Sequence, residues 1–213
     1  MTRPAYHLIE TAPPGAEPVT LEEVKLHLRI THDHEDALLA SLIMTARLIC
    51  EADTGLALIT RGYSLWLDSW PAAPQREWWD GVRDGIAAAA GEVVFLPRPP
   101  LLAVSTILIY ADNGTSAVFA AENYHTDTIR KPGRIVLRQG ANAPVPGRNI
   151  NGIEIRYTAG FGATPHSIPA PLRQGMLQMI AHLYRQRGDA PETALHASGA
   201  AALFRPFQQM RLA

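Results

Sequence analysis

Only one cysteine, Cys50, stands among the 213 residues, so no disulfide can form within the chain and the fold must hold without covalent staples. A single-signed charge is missing too. The 19 Lys and Arg nearly cancel the 20 Asp and Glu, leaving a formal net charge of -1. That excludes a protein gripping nucleic acid through bulk positive charge. No apolar run is long enough to cross a bilayer, and the first residues lack the basic and apolar blocks of a signal peptide, so a water-soluble chain is expected. Also lacking are a G-x-S-x-G elbow, a Walker loop and a G-x-G-x-x-G turn after a strand. Gly160-Phe161-Gly162 precedes a helical stretch, but no lysine follows at P-loop spacing. What the chain does have is 47% hydrophobic residues, enough for one large domain or two small ones.

The clearest element runs from Ser167 to Gly188. Leu172, Met176, Met179, Ile180, Leu183 and Tyr184 recur at helical spacing and form an apolar stripe. Pro169 and Pro171 suit a first turn, Arg185 and Arg187 favour the negative end of the dipole, and Gly188 is placed to end the helix. Near the N-terminus, a Pro/Gly-rich arm precedes Thr20, which with Glu23 forms a capping box; Val19 and Val24 fit a hydrophobic staple across it. This first helix is expected to stop near Thr31. A second follows with Asp33 as its expected N-cap and Gly55 as its stop. Its apolar arc, Leu38, Leu39, Leu42, Ile43, Ala46, Ile49 and Cys50, is too wide for one seam, so the helix should be covered on two sides.

Between these helices lies a β-rich middle. Strands are expected at Ile59–Leu67, Val93–Leu96, Val104–Tyr110, Val118–Tyr124, Arg134–Arg138 and Ile153–Thr158, with a hairpin turn at Asn113-Gly114. Pro71 to Gly91, which holds Trp78 and Trp79, reads as an insertion loop. The fold class is therefore α+β: a discontinuous helical bundle of three main helices, an inserted antiparallel β-module and an extended C-terminal tail. The corresponding boundaries are 1–58 for the arm and first two helices, 59–162 for the β-module, 163–188 for the long helix and 189–213 for linker and tail.

Two histidine clusters invite a chemical reading. His32-Asp33-His34-Glu35-Asp36 is rich in metal-ligand types, yet consecutive side chains at a helix start do not converge on a tetrahedron. His125 and Asp127 share one face of a strand, but no nucleophile accompanies them. No catalytic residue, cofactor site or metal site is expected. The tail differs: Leu203, Phe204, Phe207, Met210 and Leu212 lie beside Arg205 and Arg211 without a periodic partner. Burying five such side chains and ordering about ten residues involve opposing free energies of similar size, on the order of 10 kcal/mol each. Such a tail should order against a partner surface; the alternative is that it packs on its own core.

Four stretches, PVTLEEVKLHLRI, DHEDALLASLIMTARLICEADTG, IRYTAGFG leading into IPAPLRQGMLQMIAHLYRQRG, and the terminal LFRPFQQMRL, together resemble the head–tail connector (adaptor) proteins of long-tailed double-stranded DNA bacteriophages and related gene transfer agents. The resemblance implies a structural protein of the virion neck, assembled in the bacterial cytoplasm. It implies a homo-oligomeric ring, commonly of twelve copies, that extends the DNA channel below the portal protein and meets a neck or tail stopper protein. Double-stranded DNA would pass without sequence-specific binding, and no membrane is involved. It places Leu203, Phe204, Arg205, Pro206, Phe207, Met210, Arg211 and Leu212 at the portal. It makes the helices bearing Leu38, Leu42, Ile43, Ile49, Met176, Ile180 and Tyr184 the subunit interface. The rival readings are a stopper or small DNA-packaging subunit, and a His- or metal-dependent enzyme.

Overall fold

The computed structural model describes residues 6–71, 93–188 and 190–208. Its contacts divide the chain into two compact units, each assembled from separated stretches of sequence: residues 1–12 with 62–159, and 13–61 with 160–213. Helices and antiparallel sheets make it an α+β protein.

The helical unit starts with the capping box. Thr20 Oγ1 accepts from the Glu23 N–H at 3.1 Å and Glu23 Oε2 accepts from the Thr20 N–H at 2.8 Å, fixing the start of α1 (Leu21–Leu28). Val19 and Val24 are both buried across that turn. The second helix, α2 (Asp36–Thr54), begins after Glu35, which makes no side-chain cap. Asp33 is thus not the N-cap; its carboxylate pairs with Lys25 instead, and Lys25 also reaches Asp36 at 2.9 Å. Gly55 ends α2 with φ 75°, the left-handed conformation glycine adopts without a Cβ clash. The long helix α3 (Ala170–Arg185) closes at Gln186 rather than at Gly188.

Beyond it the chain does not remain extended. It forms α4 (Pro191–Ala197), α5 (Ala200–Phe204) and a 3-10 turn at Arg205–Phe207. The extended-tail expectation is corrected here, for a physical reason. The preceding segment, read as a polar linker, adds Ala194, Leu195 and Ala200 to the buried surface. The helices also satisfy their own backbone groups, so ordering the tail is supported by more than its terminal side chains. Phe204 is completely buried on α3 over Gly175, where any Cβ would stand 2.4 Å from the ring. The glycine is a socket. Phe204→Ala should lower stability by about 3–5 kcal/mol, the usual cost of emptying an aromatic core site. A thermal melt should register a fall of roughly 10 °C.

Among the described residues the β unit holds eight strands. The N-terminal arm, expected as an extended arm or loop, supplies β1 (Tyr6–Glu10), paired antiparallel to β2 (Arg61–Leu67). With β8 (Ile153–Ala159), β4 (Leu101–Tyr110) and β5 (Ser116–Val118) they make a five-stranded sheet in the order β1-β2-β8-β4-β5. A second sheet orders β3 (Val93–Phe95), β7 (Arg134–Leu137) and β6 (Tyr124–Asp127). The expected strand Val118–Tyr124 is two strands, since a 3-10 turn at Ala121–Asn123 carries the chain from one sheet to the other. In β8, Ile153, Ile155 and Tyr157 are buried on one face, and Glu154 is buried on the other. Trp70, Phe119 and Tyr124 stack in series near the sheet switch, with centroids 6.2 and 6.0 Å apart. Trp78 and Trp79 lie outside the described residues.

Candidate assembly interface

The faces of α2 answer opposite demands. Leu39, Ile43, Ala46 and Cys50 point into the helical core with Leu172, Met176, Met179, Ile180 and Leu183 of α3. Ala37, Ser41, Met44, Leu48 and Ala52 are exposed at spacings that place them on the reverse face. Met44 is 51% and Leu48 54% accessible. The residues named from the sequence divide accordingly. Ile43, Met176 and Ile180 are core positions and cannot present a surface; Leu42, Ile49 and Tyr184 are half-buried flanks of the same core, and Leu38 is half-buried. Met44 and Leu48, which the arc missed, form the open apolar face. Their i,i+4 repeat opposite the core positions was the available signal.

Of the tail residues, Phe204 is buried, Leu203 and Phe207 are half-buried, and Arg205 and Pro206 are exposed. Met210, Arg211 and Leu212 lie outside the described residues. Gln208 donates to the Asp53 carboxylate at 3.0 Å, tying the end of the described tail to α2.

Beneath the exposed face runs a buried ionic chain. Glu51 Oε2 accepts from Arg61 at 2.7 Å and from Arg47 at 3.5 Å, its Oε1 accepts from the Leu58 N–H at 3.0 Å, and Arg47 continues to Glu17 at 2.9 Å. Glu51 and Arg61 are nearly inaccessible, so each charge depends on the others for solvation. At the end of α3, Tyr184 and Arg187 both donate to Glu35, and these hydrogen bonds hold its carboxyl below the ordinary range. Burial beside Glu51 and Asp53 drives the Cys50 thiol upward, the opposite of an activated nucleophile.

A second buried carboxylate, Glu154, sits in the five-stranded sheet. Arg156 grips it through both oxygens at 2.8 and 3.0 Å, while Ser64 and Tyr110 each donate at 2.8 Å. Burial pushes this carboxyl upward, but the donors outweigh it and leave the group lowered. A lowered folded-state value means stability that is present above about pH 4.5 and lost as pH falls further. Stability followed by circular dichroism should therefore fall as pH drops below 4.5, and Glu154→Gln should remove the part of that fall that Glu154 contributes.

The histidine clusters resolve as ordinary structure. His32 and His34 stack with centroids 5.5 Å apart, and Asp33 is engaged by Lys25. Asp127 caps the Ile129 and Arg130 N–H groups and pairs with Arg134 at 3.0 Å, while His125 is exposed. Among the described residues no group of three His, Cys, Asp or Glu side chains could hold a metal ion. None of their helices is long and apolar enough to cross a membrane.

Residues 18–76 match the model of the family described as phage gp6-like head-tail connector protein. No curated protein sequence matches the chain. Among solved structures, a chain from the neck of an empty gene transfer agent particle, computed with C6 symmetry, superposes with a TM-score of 0.74 at 25% identity, covering 97% of both chains. A chain from the virion of a native gene transfer agent particle gives 0.73 at 25%, and one from a native particle's neck computed with C12 symmetry gives 0.67 at 26%, each over 97% of both chains. By sequence over residues 18–76 the chain resembles head–tail connector proteins, and by fold over nearly its whole length it resembles chains of gene transfer agent necks and virions.

Proposed function

We propose that this chain is a structural head–tail adaptor of a phage-like or gene transfer agent particle. Copies form a ring in the neck, extend the DNA channel and join the head to the tail. The observation that carries this is the superposition on neck subunits over 97% of both chains, joined to the connector match at residues 18–76. Necks computed with C6 and C12 symmetry support a closed ring, and a dodecamer is the reading that fits both. The exposed Met44 and Leu48 stripe of α2 serves copy-to-copy packing, flanked by Leu38, Leu42 and Ile49. Portal contact falls to the stretch from Arg205 onward, because Phe204 already belongs to the core. The near-balance of charge suits a conduit, since each neutralised phosphate would add affinity and retard DNA. The role is structural, not enzymatic. Deleting the gene in the producing cell should leave DNA-filled heads without tails; normally tailed, infectious particles would overturn the proposal.

A further inference from the structure

The five-stranded sheet ends on two open edges. In the order β1-β2-β8-β4-β5, no other described strand pairs with the outer side of β1 or of β5. On β5 the ladder to β4 is carried by odd positions: Thr115 O accepts from the Ala111 N–H and the Phe119 N–H donates to Ile107 O, each at 2.8 Å. The backbone groups of Ser116 and Val118 therefore point away from β4. The three residues of β5 are all exposed, none carries a charge, and Val118 is 68% accessible. Natural sheets guard such edges by shortness, Lys, Pro or a covering element; β5 is short but carries neither Lys nor Pro. Beside it lies a cleft of about 200 Å³ lined by Ile109, Tyr110, Ala117, Val145 and Gly147.

The other end is unfinished in a matching way. Register with β2 sets Tyr6 opposite Leu67 and Leu8 opposite Leu65, so both belong to the apolar side of the sheet. Yet Tyr6 is 56% accessible, because the apolar face continues past the last described strand. One end offers an unguarded backbone edge beside an apolar cleft, and the other offers an edge with uncovered apolar side chains. Two different, complementary patches on one subunit are what a heterologous, ring-closing interface needs.

We infer that β5 of one copy pairs with β1 of the next, so that the five-stranded sheets join edge to edge around the ring. This rests on the ring reading above and adds to it a second interface, independent of α2. Strand addition draws its affinity from main-chain hydrogen bonds, and the cleft beside β5 receives a side chain of the incoming strand.

The test uses the full chain assembled into particles. Ile9 and Val118 lie on the same face of the sheet, the side bearing Ser64 and Glu154, as the registers of β1, β4 and β8 require. Within one copy they are four strand spacings apart, roughly 19 Å, too far for a disulfide. An Ile9→Cys/Val118→Cys pair, with Leu8→Cys and Ser116→Cys substituted in turn to cover the register, should yield under oxidation a ladder of linked copies in at least one combination. Val118→Pro removes an outward N–H while sparing the bonds to β4, and should reduce ring occupancy at least tenfold with the circular dichroism spectrum unchanged; Val118→Thr should assemble normally. Complete rings with no ladder in any combination, or rings at wild-type occupancy with Val118→Pro, would overturn the edge pairing while leaving the ring intact. Absence of rings from unmodified particles would overturn both.

Discussion

Glu51→Ala should lower the stability of the helical unit by about 3–5 kcal/mol, the cost of stranding buried charge when one partner is removed. Three groups lose an acceptor at once: the Arg61 guanidinium, the Leu58 N–H and the Arg47 guanidinium, which keeps Glu17. Water cannot compensate, because Arg61 and Glu51 side chains are 1% and 4% accessible. A drop of roughly 10 °C in the melting temperature follows for a chain this size. Glu51→Gln should fall in between, since the amide can still accept from Leu58 but carries no charge. A melt unchanged by Glu51→Ala would mean the ionic chain is hydrated and the burial of α2 misassigned. Replacing Glu51 and Arg61 together by apolar residues of similar volume should recover part of the loss, as buried pairs often exchange for packing at little net cost.

Met44→Asp/Leu48→Asp should do the reverse: leave folding nearly untouched and abolish assembly. Both side chains project from the exposed face of α2, so a carboxylate there is solvated in the free chain. In a packed copy-to-copy contact the same carboxylates would be desolvated without partners, at several kcal/mol each. Repeated at every interface of a closed ring, that penalty leaves no cooperative assembly. A melting temperature within about 2 °C of wild type, together with particles that carry no ring, is the expected pair of results; surface substitutions away from special features ordinarily stay within about 0.5 kcal/mol. Rings forming normally would show that α2 faces solvent in the assembly.

Local signals carried much of this fold. The Thr20/Glu23 capping box, the Gly55 stop and the apolar stripe of α3 are written in short windows where residue type and backbone geometry determine each other. Other features were illegible because they depend on distant partners. Tyr6–Glu10 alternates too weakly to announce a strand; it becomes one because β2 offers an edge. The terminal side chains alone do not announce an ordered tail, since α4 and α5 pack on a glycine socket in α3 that no local window reveals. Arg47 and Glu51 interrupt the apolar pattern of α2 and read as surface charge until Arg61 and Glu17 are seen to meet them. For the proposed assembly surface, the wide arc of α2 points to the helix that carries the exposed Met44 and Leu48. It favoured core positions such as Ile43 over the exposed pair, since hydrophobicity alone does not distinguish a residue buried by its own chain from one waiting for a neighbour.

The most direct test is a symmetric cryo-electron reconstruction of the neck in particles from the producing cell. The account predicts a closed ring of this chain between portal and tail, with Met44 and Leu48 of α2 at the contact between adjacent copies. A neck built without this chain, or a ring in which the exposed face of α2 touches no other subunit, would contradict it.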